Sequence, residues 1–215
     1  MKNRLLILLV ALMSLTMVTP AKGQGWSVWV GDGVTLSTLA GLDSTVPKLG
    51  TYTSLGLNYR TLSAWGVELE VAYAEQGSVI VDGSTRVTYA YNYLNIPLMA
   101  TVELADRLTL LGGVQAGWLV AANYQYRTPS VLDEGAWVEG GDALPREEFH
   151  PWDFGVTLGL RQMLVPSIDL VLDVRYTLGI TQTHNGVATS IVGNPYISVP
   201  DNRNSVLRVG LSIAF

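Results

Sequence analysis

The chain has 215 residues, of which 14% are charged, whereas soluble domains average about 25%. Its mean hydropathy of +0.29 is high, and its net charge of −5 argues against a nucleic-acid partner. The sequence contains no cysteine, which excludes disulfides and thiolate metal sites.

The first 23 residues have the pattern of a secretory signal peptide. Lys2 and Arg4 precede an apolar run over residues 5–18, and small residues follow it up to Gly23. A basic start, a short apolar core and small residues before the cleavage point are typical of export signals. The alternative, a retained membrane anchor, is disfavoured because the run is short for a spanning helix. We predict a signal peptide over residues 1–23, cleaved after Gly23 or Ala21, and a barrel domain over residues 24–215.

Eight later segments of about ten residues alternate between apolar and small or polar side chains. In the clearest of them, Trp65, Val67 and Leu69 alternate with Glu68 and Glu70. The eight segments begin near Trp26, Gly50, Trp65, Leu94, Leu108, Trp152, Ile168 and Ser205. A closed β-barrel pairs all backbone N–H and C=O groups between its strands, and it needs apolar side chains only at alternate positions to lie in a bilayer. We therefore predict an all-β fold, an eight-stranded antiparallel up-and-down transmembrane β-barrel.

The connections between these segments alternate in length. Tight turns are expected near Ser63, Asp106 and Pro166, and long loops are expected over residues 40–49, 77–87, 123–151 and 181–204. Short periplasmic turns and long extracellular loops are the layout of outer-membrane barrels. We therefore predict that the protein lies in the outer membrane of a Gram-negative bacterium and that its outer surface contacts the lipid bilayer.

Aromatic side chains occur at both ends of the apolar faces and predict two girdles. They are Trp26, Tyr59, Trp65 and Phe215 at the short-turn end and Tyr73, Trp118, Trp152 and Tyr176 at the long-loop end. From Leu108 to Trp118 the strand makes about ten steps of about 3.3 Å, which at a tilt of about 40° span roughly 25 Å of height. That height matches the apolar band of an outer-membrane barrel. A soluble lipocalin-like barrel is the alternative, but it would turn the apolar face inward.

Four stretches carry a resemblance to a known family: "YNYLNIPLMA", "GGVQAGWLV", "DLVLDVRYTLGI" and "LRVGLSIAF". With them the chain resembles the PorT-like outer-membrane β-barrel proteins of Bacteroidota-type bacteria, which are OmpA/OmpX-like eight-stranded barrels. The resemblance implies a link to protein secretion and a secretion-system or extracellular protein partner. It also implies that Phe215 is part of the signal read by the outer-membrane assembly machinery.

The predicted inward faces carry charged side chains, namely Arg60, Glu68, Glu70, Glu103, Asp153, Arg161, Asp169, Asp173, Arg175 and Arg208. The interior of an eight-stranded barrel is just wide enough for side chains, and an unpaired buried charge is costly. We therefore predict a filled lumen with an ionic cluster of Glu70, Asp173, Arg175 and Arg208. Acid–base catalysis by paired carboxylates is the alternative use of such charges.

Three further features could carry chemistry in the long loops. His150 and His184, with Ser190, Asp153 or Asp201, could serve an outer-membrane enzyme, although no spacing is diagnostic. Calcium could bind Asp133, Glu134, Glu139 and Asp142, although their spacing is not that of an EF-hand. Trp137 is a candidate partner contact. We predict no catalytic residue, cofactor or metal, and a structural or partner-binding role; a narrow pore and a lipid-modifying enzyme are the alternatives.

Overall fold

Nine β-strands account for most of the residues that the computed structural model describes, which are 25–40, 45–130, 133, 135–146, 149–183 and 202–215. The strands are β1 (Gly25–Ala40), β2 (Thr45–Arg60), β3 (Trp65–Asp82), β4 (Thr85–Ala105), β5 (Leu108–Pro129), β6 (Trp137–Ala143), β7 (Trp152–Val165), β8 (Leu170–Gly179) and β9 (Arg203–Ala214). The predicted signal peptide lies outside the described residues.

Eight of these strands close into an antiparallel barrel. Each of them pairs with its neighbour along the chain, β5 pairs with β7, and β1 pairs with β9 to complete the ring. The closing ladder runs from Trp29 opposite Ala214 to Ala40 opposite Arg203. The predicted eight-stranded barrel is confirmed, and β6 is an additional strand outside the ring that pairs with β5.

Side chains alternate between the outside and the lumen along the barrel strands. On β3, Trp65, Val67 and Leu69 are exposed, whereas Glu68 and Glu70 are fully buried. This alternation places the apolar set on the outer surface, as in a membrane barrel and opposite to a lipocalin. Across the described ranges, no helix has the length and hydropathy needed to cross a bilayer.

The prediction of a long loop over residues 77–87 is wrong, because β3 and β4 continue through this stretch as a hairpin. The strands pair up to Asp82 opposite Thr85, and Gly83 forms the turn with a positive φ of 55°. An Asp-Gly pair between runs of β-branched and aromatic residues is a hairpin signal. The connection over residues 40–49 is likewise shorter than expected, since β1 ends at Ala40 and β2 begins at Thr45.

The expected third loop, residues 123–151, is also partly strand. Its first seven residues continue β5 and pair with β6, from Asn123 opposite Ala143 to Pro129 opposite Trp137. The extended parts of β3, β4 and β5 together with β6 form a sheet that rises beyond the barrel, and we call it the projecting sheet. The tight turns at the other end of the barrel are short, as predicted.

Candidate functional site

The lumen is filled at mid-depth by charged side chains from four barrel strands, and we call this group the ionic cluster. Strands β3, β7, β8 and β9 supply Glu68, Glu70, Arg161, Asp173, Arg175 and Arg208. Residues two apart on one strand point to the same side. Ion pairs join β3 to β7 and β8, which are not its neighbours in the ring, so these side chains meet across the lumen. Glu70 lies between the girdle residues Trp65 and Tyr73 along β3, which places the cluster at membrane depth.

Arg175 is the centre of the ionic cluster. Its guanidinium donates to Glu70 Oε2 at 2.5 Å, to Asp173 Oδ1 at 2.5 Å and to Glu68 Oε1 at 3.0 Å. Only 1% of its side chain is exposed. The guanidinium group of arginine is planar and carries five N–H donors, so it can bind several carboxylates at the same time.

Two more arginines complete the ionic cluster. Arg208 donates to Glu70 Oε1 at 2.6 Å, and Arg161 donates to Glu68 at 2.5 Å and to Asp173 at 3.0 Å. Three carboxylates therefore face three guanidinium groups, so the cluster is neutral as a whole. The structure thus brings together the four residues of the predicted cluster and adds Glu68 and Arg161, whose inward position the alternation indicated.

Two aromatic rings pack against the ionic cluster inside the lumen, and sequence reasoning missed both of them. The Trp29 ring lies 5.0 Å from the guanidinium carbon of Arg161, and the Tyr52 ring lies 4.0 Å from that of Arg208. The Trp29 ring occupies the space over Gly56, where an added Cβ would lie 2.1 Å from the indole. The signal that could have found them was a large aromatic residue at an inward position opposite a glycine.

The other predicted inward charges lie elsewhere. Arg60 pairs with Glu103 at the short-turn end, where both are partly exposed. Asp169 lies half-buried in the turn before β8, where its carbonyl accepts from the Ala214 amide, and it is not a member of the ionic cluster. Asp153 accepts from Thr181 at 2.9 Å and from Asn204 at 2.7 Å near the outer end of the lumen.

An apolar cluster lies at the outer end of the lumen, and we call it the outer cap. It contains Leu39, Tyr91, Tyr93, Leu119, Ala122, Leu144 and Phe149, all buried. Leu144 and Phe149 lie between β6 and β7 along the chain. Phe149 packs on Tyr91 with ring centroids 5.4 Å apart. Beside the cap, burial raises the pKa of the Tyr89 hydroxyl to about 12, so this phenol stays neutral.

The predicted girdle residues lie on the outer surface at the two ends of the barrel. Trp26 packs on Tyr59 at 4.7 Å at the short-turn end, and Trp118 stacks on Trp152 at 6.0 Å at the other end. The remaining members, Trp65, Tyr73, Tyr176 and Phe215, are also exposed. Aromatic rings of this kind are typical of the two membrane–water interfaces.

A polar cleft of about 800 Å³ lies on the projecting sheet, formed by β4, β5 and β6. Arg127 pairs with Glu139 at 3.2 Å and lies over the Trp137 ring at 4.7 Å. Arg86 lines the same cleft, directly across the ladder from Arg127. These groups can form hydrogen bonds and ion pairs with an external partner.

The loop residues considered for chemistry are only partly within the described structure. His150 is exposed and donates its backbone amide to Thr183, whereas His184, Ser190, Asp201 and Glu134 lie outside the described residues. Within the described ranges, no group of three or more His, Asp and Glu side chains is placed to hold a metal ion.

A closed barrel with an apolar outer band, aromatic girdles and a filled polar interior defines a transmembrane β-barrel of the outer-membrane class. Residues 25–185 match the model of a protein family described as outer membrane protein beta-barrel domain. The chain belongs to that family and is an outer-membrane β-barrel protein.

Solved structures of other small barrels are similar to this chain. The attachment invasion locus protein Ail of Yersinia pestis is 15% identical, with a TM-score of 0.47 over 91% of this chain and 100% of that chain. In the structure of Ail in complex with the heparin analogue sucrose octasulfate, the Ail chain is 13% identical, with a TM-score of 0.45 over 90% of this chain and 99% of that chain. Neisserial surface protein A is 11% identical, with a TM-score of 0.41 over 90% of this chain and 100% of that chain. No curated protein matches the sequence significantly.

Proposed function

We propose that this protein is a non-conducting, non-catalytic barrel that acts through its surface, by binding a partner with the projecting sheet. The observation that carries the proposal is the filled lumen. The ionic cluster occupies the barrel at mid-depth with side chains that are mostly more than nine-tenths buried, and the outer cap adds buried apolar side chains at the outer end. An eight-stranded interior holds side chains rather than a water channel.

The projecting sheet supports a binding role because it adds surface that the barrel does not need for its own closure. Strand β6 contributes nothing to the ring, and Trp137, Val138 and Arg127 are exposed on the sheet. Exposed aromatic and arginine side chains are enriched where proteins bind each other. The resemblance to PorT-like barrels suggests that the partner belongs to a protein-secretion assembly.

The filled lumen is tested by recording purified full-length protein in planar bilayers. We expect no steady conductance above that of the bare membrane, since an eight-stranded barrel packed with side chains leaves no channel for ions. A reproducible open channel would instead establish the narrow pore.

The partner is tested by photo-cross-linking on intact cells. A photoreactive residue at Trp137 should give a discrete adduct with a second protein. The same residue at Leu62, which is exposed in a turn at the opposite end of the barrel, is the matched control and should not give that adduct. Equal adducts from both positions, or none from Trp137, would contradict a partner-binding role for the projecting sheet.

A further inference from the structure

Asp32 is a charged residue on the lipid-facing side of the barrel. On β1 the residues Trp29, Gly31 and Thr35 are buried, so the even-numbered positions between them face outward. Asp32 is exposed, like its outward neighbour Val34. Among the described residues, no other charged side chain lies on the outer surface between the two girdles.

The position of Asp32 along the strand places it near the middle of the apolar band. It lies six residues outward from the girdle residue Trp26, and six steps of about 3.3 Å at a tilt of about 40° give roughly 15 Å of a band about 25 Å tall. Its ladder partner on β9 is Leu211, which lies four residues before the girdle residue Phe215. Four such steps give roughly 10 Å. The two strands therefore place Asp32 roughly 10 to 15 Å above the short-turn girdle, near the middle of the band.

The carboxylate of Asp32 lacks the partners that such a depth demands. The one hydrogen bond that the described structure gives it comes from the adjacent Gly33 amide, at 2.9 Å. Ionisable side chains within a membrane are costly, and they pair with another polar group or face protein rather than lipid. A polar contact from outside this barrel would supply what the carboxylate lacks.

The strand beside Asp32 carries hydroxyl donors on the same outer surface. Thr53 is directly opposite Asp32 in the ladder between β1 and β2, and Thr51 lies two residues further outward on β2. The Thr53 hydroxyl donates to the Gly31 carbonyl at 3.5 Å, a length at which a hydrogen bond is weak, so the hydroxyl can turn to a closer acceptor. Both threonines are exposed. The patch thus presents an acceptor on one strand and donors on the next, which makes it self-complementary.

We propose that this patch is the contact surface for a second copy of the same chain. Two copies inserted in the same direction are related by a two-fold axis along the membrane normal. If that axis runs between β1 and β2, Asp32 of each copy faces Thr53 of the other, because a two-fold contact pairs residue i with j and j with i. Val34 and Leu55 flank the polar pair with apolar surface that packs as well against protein as against lipid.

The test uses cysteine cross-linking in native outer membranes, because the chain has no cysteine of its own. Val34→Cys places a thiol beside Asp32. Val114→Cys is the matched control, since Val114 is exposed on β5, on the opposite side of the ring and at similar depth. With a short bifunctional maleimide, we expect a dimer of this chain from Val34→Cys and little from Val114→Cys, with yields normalised to the folded, heat-modifiable protein.

Substitution of Asp32 separates a specific contact from random collision. In the Val34→Cys background, Asp32→Leu should lower the dimer yield by about tenfold, the effect of losing two symmetric hydrogen bonds inside a membrane. Asp32→Asn keeps an acceptor and should retain most of the dimer. Equal yields from the two cysteine positions, an unchanged yield with Asp32→Leu, or an adduct with a different protein would each overturn the proposal.

Discussion

At the scale of single residues, the interior depends on arginines and carboxylates that share partners. Arg208 contacts Glu70 at 2.6 Å and lies over the Tyr52 ring, with 4% of its side chain exposed. Glu70 is fully buried and shares its two oxygens between Arg175 and Arg208. Removal of one arginine therefore leaves a buried carboxylate with half of its partners.

We expect Arg208→Ala to lower the free energy of unfolding by about 3–5 kcal/mol, the cost of breaking a buried ion pair from one side. The measurement is urea unfolding of the folded barrel in lipid vesicles, followed by tryptophan fluorescence. Arg127→Ala is the control, because Arg127 and Glu139 form an exposed pair whose loss should cost less than about 1 kcal/mol. A neutral Arg208→Ala would mean that water reaches the lumen and solvates Glu70.

On the outer surface, a new charge tests the lipid contact at two positions of similar depth. Leu158→Lys, with Leu158 exposed on β7, should cost about 2–4 kcal/mol, as for a lysine near the bilayer midplane. Leu211→Lys should cost less, because Leu211 lies opposite Asp32 in the ladder and the lysine would gain an ion pair. The free energies come from the same urea titration. Equal costs at the two positions would show that the Asp32 carboxylate is not available there.

At the scale of elements, the ring depends on the seam between β1 and β9. Beyond the last ladder pair of Trp29 and Ala214, Phe215 and Val28 exchange two backbone hydrogen bonds of 2.8 and 3.2 Å. Phe215 also places a partly exposed aromatic ring at the short-turn end. The seam matters because an unpaired strand edge within a bilayer leaves backbone groups unsatisfied.

We expect removal of Phe215 to lower the amount of folded barrel in the outer membrane while leaving export intact. The loss removes two seam hydrogen bonds and a girdle ring. It also removes the residue that the resemblance to PorT-like barrels implies is read by the assembly machinery. The folded form is measured as the heat-modifiable band on a gel. Phe215→Trp is the control, because it keeps both the backbone pair and an aromatic ring. A normal folded amount without Phe215 would rule out a role in assembly.

At the scale of the whole molecule, the barrel has one end with short turns and one end with the projecting sheet. The two ends therefore expose different chemistry, tight turns near Asp106 on one side and the polar cleft on the other. Short turns face the periplasm in outer-membrane barrels, which predicts that the projecting sheet lies outside the cell.

We expect Asp142→Cys on β6 to react with a membrane-impermeant maleimide on intact cells. Asp106→Cys, in the turn between β4 and β5, should react only after the outer membrane is permeabilised. Asn194→Cys extends the test to the last long connection, which lies outside the described residues. Labelling of Asp106→Cys alone on intact cells would reverse the orientation.

The sequence by itself determined the features that depend on neighbours along the chain. Alternation along β3 set which side chains face outward, because successive residues of a strand point to opposite sides. Turn positions near Ser63 and Asp106 followed from breaks in that alternation. The hairpin at Gly83 could also have been predicted, since the Asp-Gly signal is local, and it was missed because the flanking residues were assigned to a loop.

Only the tertiary structure decided which residues meet across the barrel. Arg161 and Glu68 are 93 positions apart, and Arg208 and Glu70 are 138 apart. A shift of one residue in the pairing of any two strands would turn each of these side chains to the other face. The mid-membrane depth of Asp32 and the packing of Trp29 over Gly56 depend on the same registers. Those registers are fixed when β9 pairs with β1, because the ring can close only if the registers of all eight strand pairs are mutually consistent.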